Sequence, residues 1–284
     1  MLQASDLVLI LVTLIWGVTF SLTKRGVAAV PPLYFLAIRF TAAFAMLLAF
    51  GGRRLRGFTL AEWQAGLVAG FVYAAGFITQ TLGLQRTLAA KAAFITGLSV
   101  ILVPVLSVVF LRQSPEPAEM LGSAISFVGL AVLSVSSSLA LLSFGDFLVL
   151  LCAIAFALHI ILVGRWAQKV DPYRFTTVQV GVTGLLCGAL GVFLEPFPAG
   201  LTSATWFALG FLALFATVGT TLMQTWAQRH TDATRTAVIF TLEPVFAAVF
   251  AFFILGEVPT TRTWIGGLLI ITGILLAELR RGAR

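Results

Sequence analysis

The chain has 284 residues, 60% of them apolar and 10% charged, and a formal net charge of +7. A soluble domain of this size carries about a quarter charged residues, so the composition excludes a water-facing globule and makes lipid the sensible solvent. The basic residues sit in short loops between apolar runs rather than in one stripe, which argues against a nucleic-acid partner and for the positive-inside bias of a bacterial inner-membrane protein.

Apolar stretches long enough to span are predicted at 5–22, 33–50, 63–84, 92–111, 120–138, 145–164, 174–194, 204–227, 236–255 and 263–279. Each approaches the roughly 20 residues that cross about 30 Å of hydrocarbon. The first reads as a membrane helix rather than a cleaved signal, because Met1 to Asp6 carries no Lys or Arg and Lys24-Arg25 follow the apolar run. Its Trp16 is expected either to close the periplasmic end of a cavity or to pack. Arg39, in the second stretch, is expected to snorkel or pair near the periplasmic boundary. In the third, Tyr73, Phe77 and Gln80 share one helical face, and a tyrosine hydroxyl at mid-span needs a partner or water. That face reads as a cavity wall or as a helix–helix contact. The fourth contributes Phe94 and Ser99, with Gly97 and Pro104 as bending points.

Cys152 and Cys187 lie in apolar runs without CxxC spacing and read as small buried hydrophobes. His159 is the histidine inside a span; it reads as a neutral, hydrogen-bonded cavity residue or as a proton carrier. Gln224 and Glu243 are the polar candidates of the eighth and ninth stretches. Pro244 removes a backbone donor, so a kink is expected there. Glu243 either binds a proton or a substrate ammonium group, or satisfies backbone exposed by that kink.

An internal repeat organises these elements. Sliding 89–133 by 144 positions places Ala89, Ala93, Ile95, Leu98, Val105, Leu111, Pro115, Gly122 and Gly129 on identical residues at 233–277 without a gap. A shift of 140 brings Asp6 onto Asp146, Arg25 onto Arg165, Pro32 onto Pro172, Phe35 onto Phe175 and Thr19 onto His159. Gln80 falls on Gln224 at 144. The expected fold is therefore an all-α integral membrane protein of ten transmembrane helices, as two inverted five-helix repeats, 1–139 and 140–284. Inverted repeats place substrate near the midplane at the repeat interface. Lys and Arg divide twelve against five between the two sides, with Arg39 in a span, which puts both termini in the cytoplasm.

Trp16-Gly17 followed by Phe20 and Lys24, Arg39, Gly145-Asp146, and Leu242-Glu243-Pro244-Val245-Phe246-Ala247 ending in Leu255-Gly256-Glu257 resemble, in order along the chain, the signatures of the EamA-type family of the drug/metabolite transporter superfamily. The resemblance covers essentially the whole chain. It departs at Arg112-Gln113, where Gly-Glu is expected, and in having its proline at 104 rather than 100. It implies ten helices and export of amino acids or other metabolites. Within the family the YddG-like aromatic amino-acid exporters are the expected subgroup.

The expected activity is secondary transport of a small organic metabolite by alternating access, with export of aromatic or large neutral amino acids foremost. A multidrug or sugar-derived substrate is the alternative. An enzyme would need a nucleophile with a base, or a metal set such as HExxH, and the sequence holds no GxSxG, no HExxH and no Cys–His pair at useful spacing. A channel would want a ring of filter residues. No catalytic residue, metal or cofactor is expected; the partners are the solute, the lipid bilayer and, in a coupled mechanism, protons. The expected substrate cavity comprises Trp16, Thr19, Tyr73, Phe77, Gln80, Phe94, Ser99, His159, Gln224 and Glu243, with hinges at Gly97, Pro104 and Pro244.

Overall fold

A computed structural model describes residues 3–87, 92, 95–111, 115–134, 143–198, 200–255 and 260–279. Phe94, Lys91, Arg112-Gln113, Ser136 to Ser138, Gly256-Glu257 and the basic C-terminal residues from Arg280 lie outside the described residues. Every regular element in the described residues is helical. They are α1 (Ala4–Ala29), α2 (Pro32–Gly51), α3 (Leu60–Leu84), α4 (Ser99–Leu111), α5 (Pro117–Ser134), α6 (Phe144–Trp166), α7 (Pro172–Leu194), α8 (Ser203–Ala213), α9 (Thr220–Ala227), α10 (Ala233–Phe240), α11 (Leu242–Leu255) and α12 (Thr261–Leu279). A 3-10 turn, Gly52–Leu55, follows α2, and a π turn, Leu214–Gly219, joins α8 to α9.

Helix starts are written in the sequence. Thr59 with Glu62 and Ser143 with Asp146 form capping boxes at α3 and α6, each satisfying donors that a first helical turn leaves open. Asp171 Oδ1 accepts from the amides of Tyr173 and Arg174 at the start of α7, where Pro172 fills the first position. The start of α2 is capped from a distance: Glu195, just past α7, accepts from the amides of Leu33 (2.9 Å) and Tyr34 (3.2 Å). Arg174 donates to the carbonyls of Arg54, Arg56 and Gly57 and pairs with Glu62 at 3.3 Å, which fixes the connector between α2 and α3.

Among the described residues, seven helical stretches are long and apolar enough to cross a membrane: Ala4–Ala29, Pro32–Leu55, Leu60–Leu84, Phe144–Trp166, Pro172–Leu194, Ser203–Ala227 and Ala233–Phe250. Three shorter apolar helices, Ile95–Phe110, Pro117–Val132 and Trp264–Ala277, accompany them. Large apolar side chains such as Leu185, Phe193, Phe207 and Phe253 point outward, as a lipid-facing surface requires. Cys152 and Cys187 are buried free thiols, as expected.

Helices meet where small residues let backbones approach. A Cβ on Gly122 would stand 2.5 Å from the Gly273 carbonyl, and one on Gly129 would stand 2.7 Å from that of Gly266. These contacts join α5 to α12. Gly66 and Gly70 seat α3 on α7, against Val178 and against Gln179 and Val182. Gly76 seats it on Phe156 of α6, and Gly17 brings α1 onto Phe246 of α11.

The kink expected at Pro244 takes a different form. The chain breaks at Thr241, whose amide reaches back to the Val238 carbonyl, and a new helix begins at Leu242. Pro244 therefore occupies the first turn of α11, where its missing donor costs nothing. Pro104, by contrast, is inside α4.

Candidate functional site

The helices enclose a central cavity with about 980 Å³ of empty space, its mouth included. Of the ten residues expected to line it, the structure brings nine together: Trp16, Thr19, Tyr73, Phe77, Gln80, Ser99, His159, Gln224 and Glu243. Gly97 and Pro244 also line it, while Pro104 lies outside the lining.

One wall is aromatic. Tyr73 and Phe77, one turn apart on α3, meet edge-to-face with centroids 4.8 Å apart. Phe156 of α6 closes on Phe77 at 5.3 Å, and the His159 ring stacks on Tyr73 at 4.4 Å with an interplanar angle of 20°. Phe40 backs both α3 rings at 5.8 and 5.0 Å. The Tyr73 hydroxyl finds its partner in Thr221 Oγ1, 3.2 Å away. Trp16 enters from α1, edge-on to Phe240 at 4.8 Å, and donates Nε1–H to Thr220 Oγ1 at 3.2 Å.

The polar groups around this wall are only partly satisfied by protein. His159 Nε2 lies 2.8 Å from Gln179 Oε1, and Gln179 Nε2 has no partner among the described residues. Gln224 Nε2 donates to Gln228 Oε1 (3.0 Å), and Gln228 Nε2 donates in turn to the Ile160 carbonyl (2.8 Å). That leaves Gln224 Oε1 buried and unmatched among the described residues, and a buried acceptor without a partner costs about 1–3 kcal/mol. Gln80 makes only a long contact to Thr96 Oγ1, 3.5 Å. Glu243, half-buried in the first turn of α11, makes no hydrogen bond among the described residues.

Arg39, expected to snorkel or to pair, does not reach out to the surface; it is 3% exposed and lines the cavity. Nε donates to Thr217 Oγ1 (2.8 Å) and Nη2 to the Ala216 carbonyl (3.0 Å), both within the π turn. Its guanidinium lies 5.0 Å from the Phe77 centroid and 5.3 Å from that of Phe40. Thr23, Thr81, Leu84, Thr96, Phe156, Ile160, Phe240 and Thr241 complete the missed part of the lining. A threonine in an apolar helix can satisfy itself on the preceding turn, so nothing in the sequence marks those that face a cavity.

Away from the cavity, α1 is fastened to α10. Arg235 donates to both carboxylate oxygens of Asp6, at 2.8 and 2.6 Å, with Asp6 fully buried. At the start of α6, Asp146 accepts from the Thr87 hydroxyl.

A model of the EamA-like transporter family matches the chain twice, over residues 3–135 and 143–279. An uncharacterized transporter of Archaeoglobus fulgidus is 30% identical over 276 residues, which is 97% of this chain and 86% of that protein. A protein of Streptantibioticus cattleyicolor named as a probable terminal-alkyne amino-acid exporter is 28% identical over 203 residues, 68% of this chain and 65% of its own length. A solved crystal structure overlays with a TM-score of 0.82 across 99% of each chain at 20% identity, a likeness of fold alone.

Proposed function

The chain belongs to the EamA-like transporter family, and from that premise we propose that it exports aromatic or large neutral amino acids by alternating access. It is a membrane transporter rather than an enzyme. The observation that carries the substrate reading is the cavity: an aromatic wall of Tyr73, Phe77 and Phe156 beside the unmatched Gln224 Oε1 and the unbonded Glu243. Apolar walls with a few convergent polar groups suit an amphipathic solute. The distant amino-acid exporter among its relatives supports the same reading.

The mechanism rests on a proposed architecture of ten spans in two inverted repeats, 1–139 and 140–284. The family matches fall one on each half. The glycine contacts between α5 and α12 are reciprocal: Gly122 meets Gly273, Gly129 meets Gly266, and the repeat offset relates Gly122 to Gly266 and Gly129 to Gly273. A two-fold axis between the helices would produce that exchange. The hinge roles of Gly97, Pro104 and Pro244, a bacterial inner-membrane location and cytoplasmic termini belong to the same proposal, as does Glu243 as the site of any proton coupling.

The test is counterflow in proteoliposomes. Preloading with unlabelled phenylalanine should accelerate entry of labelled phenylalanine or tryptophan well above that of alanine. Flux without trans-stimulation would contradict alternating access, and no flux of any amino acid would contradict the substrate class.

A further inference from the structure

Among the described residues the cavity lining carries one guanidinium, that of Arg39, and one carboxyl group, that of Glu243. Neither is spent on the other. Arg39 anchors Nε and Nη2 on the π turn, leaving Nη1 without a protein partner among the described residues. Burying a cation in hydrocarbon against neutral acceptors alone is expensive, and such groups mark substrate or ion pathways. Glu243 lines the cavity from the first turn of α11, and no ion pair or hydrogen bond joins it to Arg39 among the described residues.

The repeat makes the asymmetry sharper. At an offset of 140 Arg39 corresponds to Gln179, and at 144 Glu243 corresponds to Ser99. Each charged position therefore has an uncharged polar residue as its counterpart, so the cation lies in one half of the chain and the acid in the other. Helix packing is served equally by both halves; the charges are extra. We propose that Arg39 and Glu243 are the two poles of the binding site, Arg39 taking a carboxylate and Glu243 an ammonium group, so that the substrate is recognised as a zwitterion. Its side chain then lies along Tyr73 and Phe77, whose ring is already in contact with the Arg39 guanidinium. This rests on the reading of the cavity as the substrate site of an amino-acid transporter.

The experiment compares three solutes of one shape in proteoliposomes: phenylalanine, phenethylamine, which lacks the carboxylate, and 3-phenylpropionate, which lacks the ammonium group. Each is measured as a competitor of labelled phenylalanine counterflow. Losing one charge-assisted contact should weaken competition by at least about tenfold for either analogue. In Arg39→Gln, phenylalanine should weaken to the level of phenethylamine, while phenethylamine itself is unchanged; Arg39→Lys should recover part of the loss. In Glu243→Gln the mirror pattern is expected, with 3-phenylpropionate unchanged. The wild-type comparison needs no variant to fold: if either analogue competes as well as phenylalanine, the two-pole site is wrong while amino-acid transport stands. If no amino acid moves at all, both readings fall.

Discussion

Tyr73 is the residue whose role the sequence announces most directly, because a hydroxyl in the middle of an apolar helix must be matched. The match, Thr221, lies 148 residues away, and no local pattern could name it. Truncation to alanine removes a ring that touches Phe77, His159 and Phe40, and with it the surface against which an aromatic solute would stack. Aromatic contacts contribute about 0.5–1.5 kcal/mol each beyond burial, so Tyr73→Ala should lower phenylalanine and tryptophan flux by about tenfold and alanine flux little. Equal losses for all three would assign Tyr73 a structural role. Arg39 was visible as a charge in a span, but the sequence offers a membrane boundary as the default destination. Its true anchors belong to a π turn, and inserting one extra residue into a helix leaves no compositional trace.

At the scale of elements, periodicity and breakers located the helices well and their irregularities poorly. The stretch 204–227 reads as a single span and is one continuous helical stretch, yet it contains the π turn. The stretch 236–255 carries an obvious proline, and the break falls at Thr241 because proline favours a helix start over a helix interior. Small-residue spacing was more faithful. Gly122 and Gly129, noticed as repeat matches, are the points where α5 and α12 touch backbone to backbone. Gly122→Ala should therefore destabilise by about 1–3 kcal/mol through overpacking, seen as a lower thermal midpoint in detergent. Gly267→Ala, whose added Cβ meets only Val245 at 3.6 Å, should leave the midpoint unchanged or slightly raised. Similar losses at both positions would mean that backbone approach is not what those glycines provide.

For the whole molecule, composition points to lipid as the solvent, the repeat leads one to expect ten segments, and charge counting leads one to expect an orientation. Alkaline phosphatase fused after Arg284 should be inactive, and a fusion within 196–201 should be active; the reverse pattern would overturn the inverted arrangement. The cavity itself was legible because polar residues are rare in such a chain and nine of the ten singled out converge. What the sequence could not supply was their mutual geometry, since the cavity draws on residues from Trp16 to Pro244.

The π turn has one more consequence, for angular registration along the helix. A residue inserted into a helix rotates everything downstream by about 100° around the axis, so the turn at Leu214–Gly219 sets the phase of α9. Thr221 meets Tyr73 and Gln224 borders the cavity only because that extra residue has been counted in. Deleting Val218 should restore an ordinary helix of nearly the same length while swinging Gln224 away from the solute. A Gln224→Cys reporter would then lose its reactivity with a water-soluble thiol reagent, and transport would stop although every lining side chain is still encoded. Continued labelling in the deletion variant would show that α9 takes its bearing from its neighbours instead.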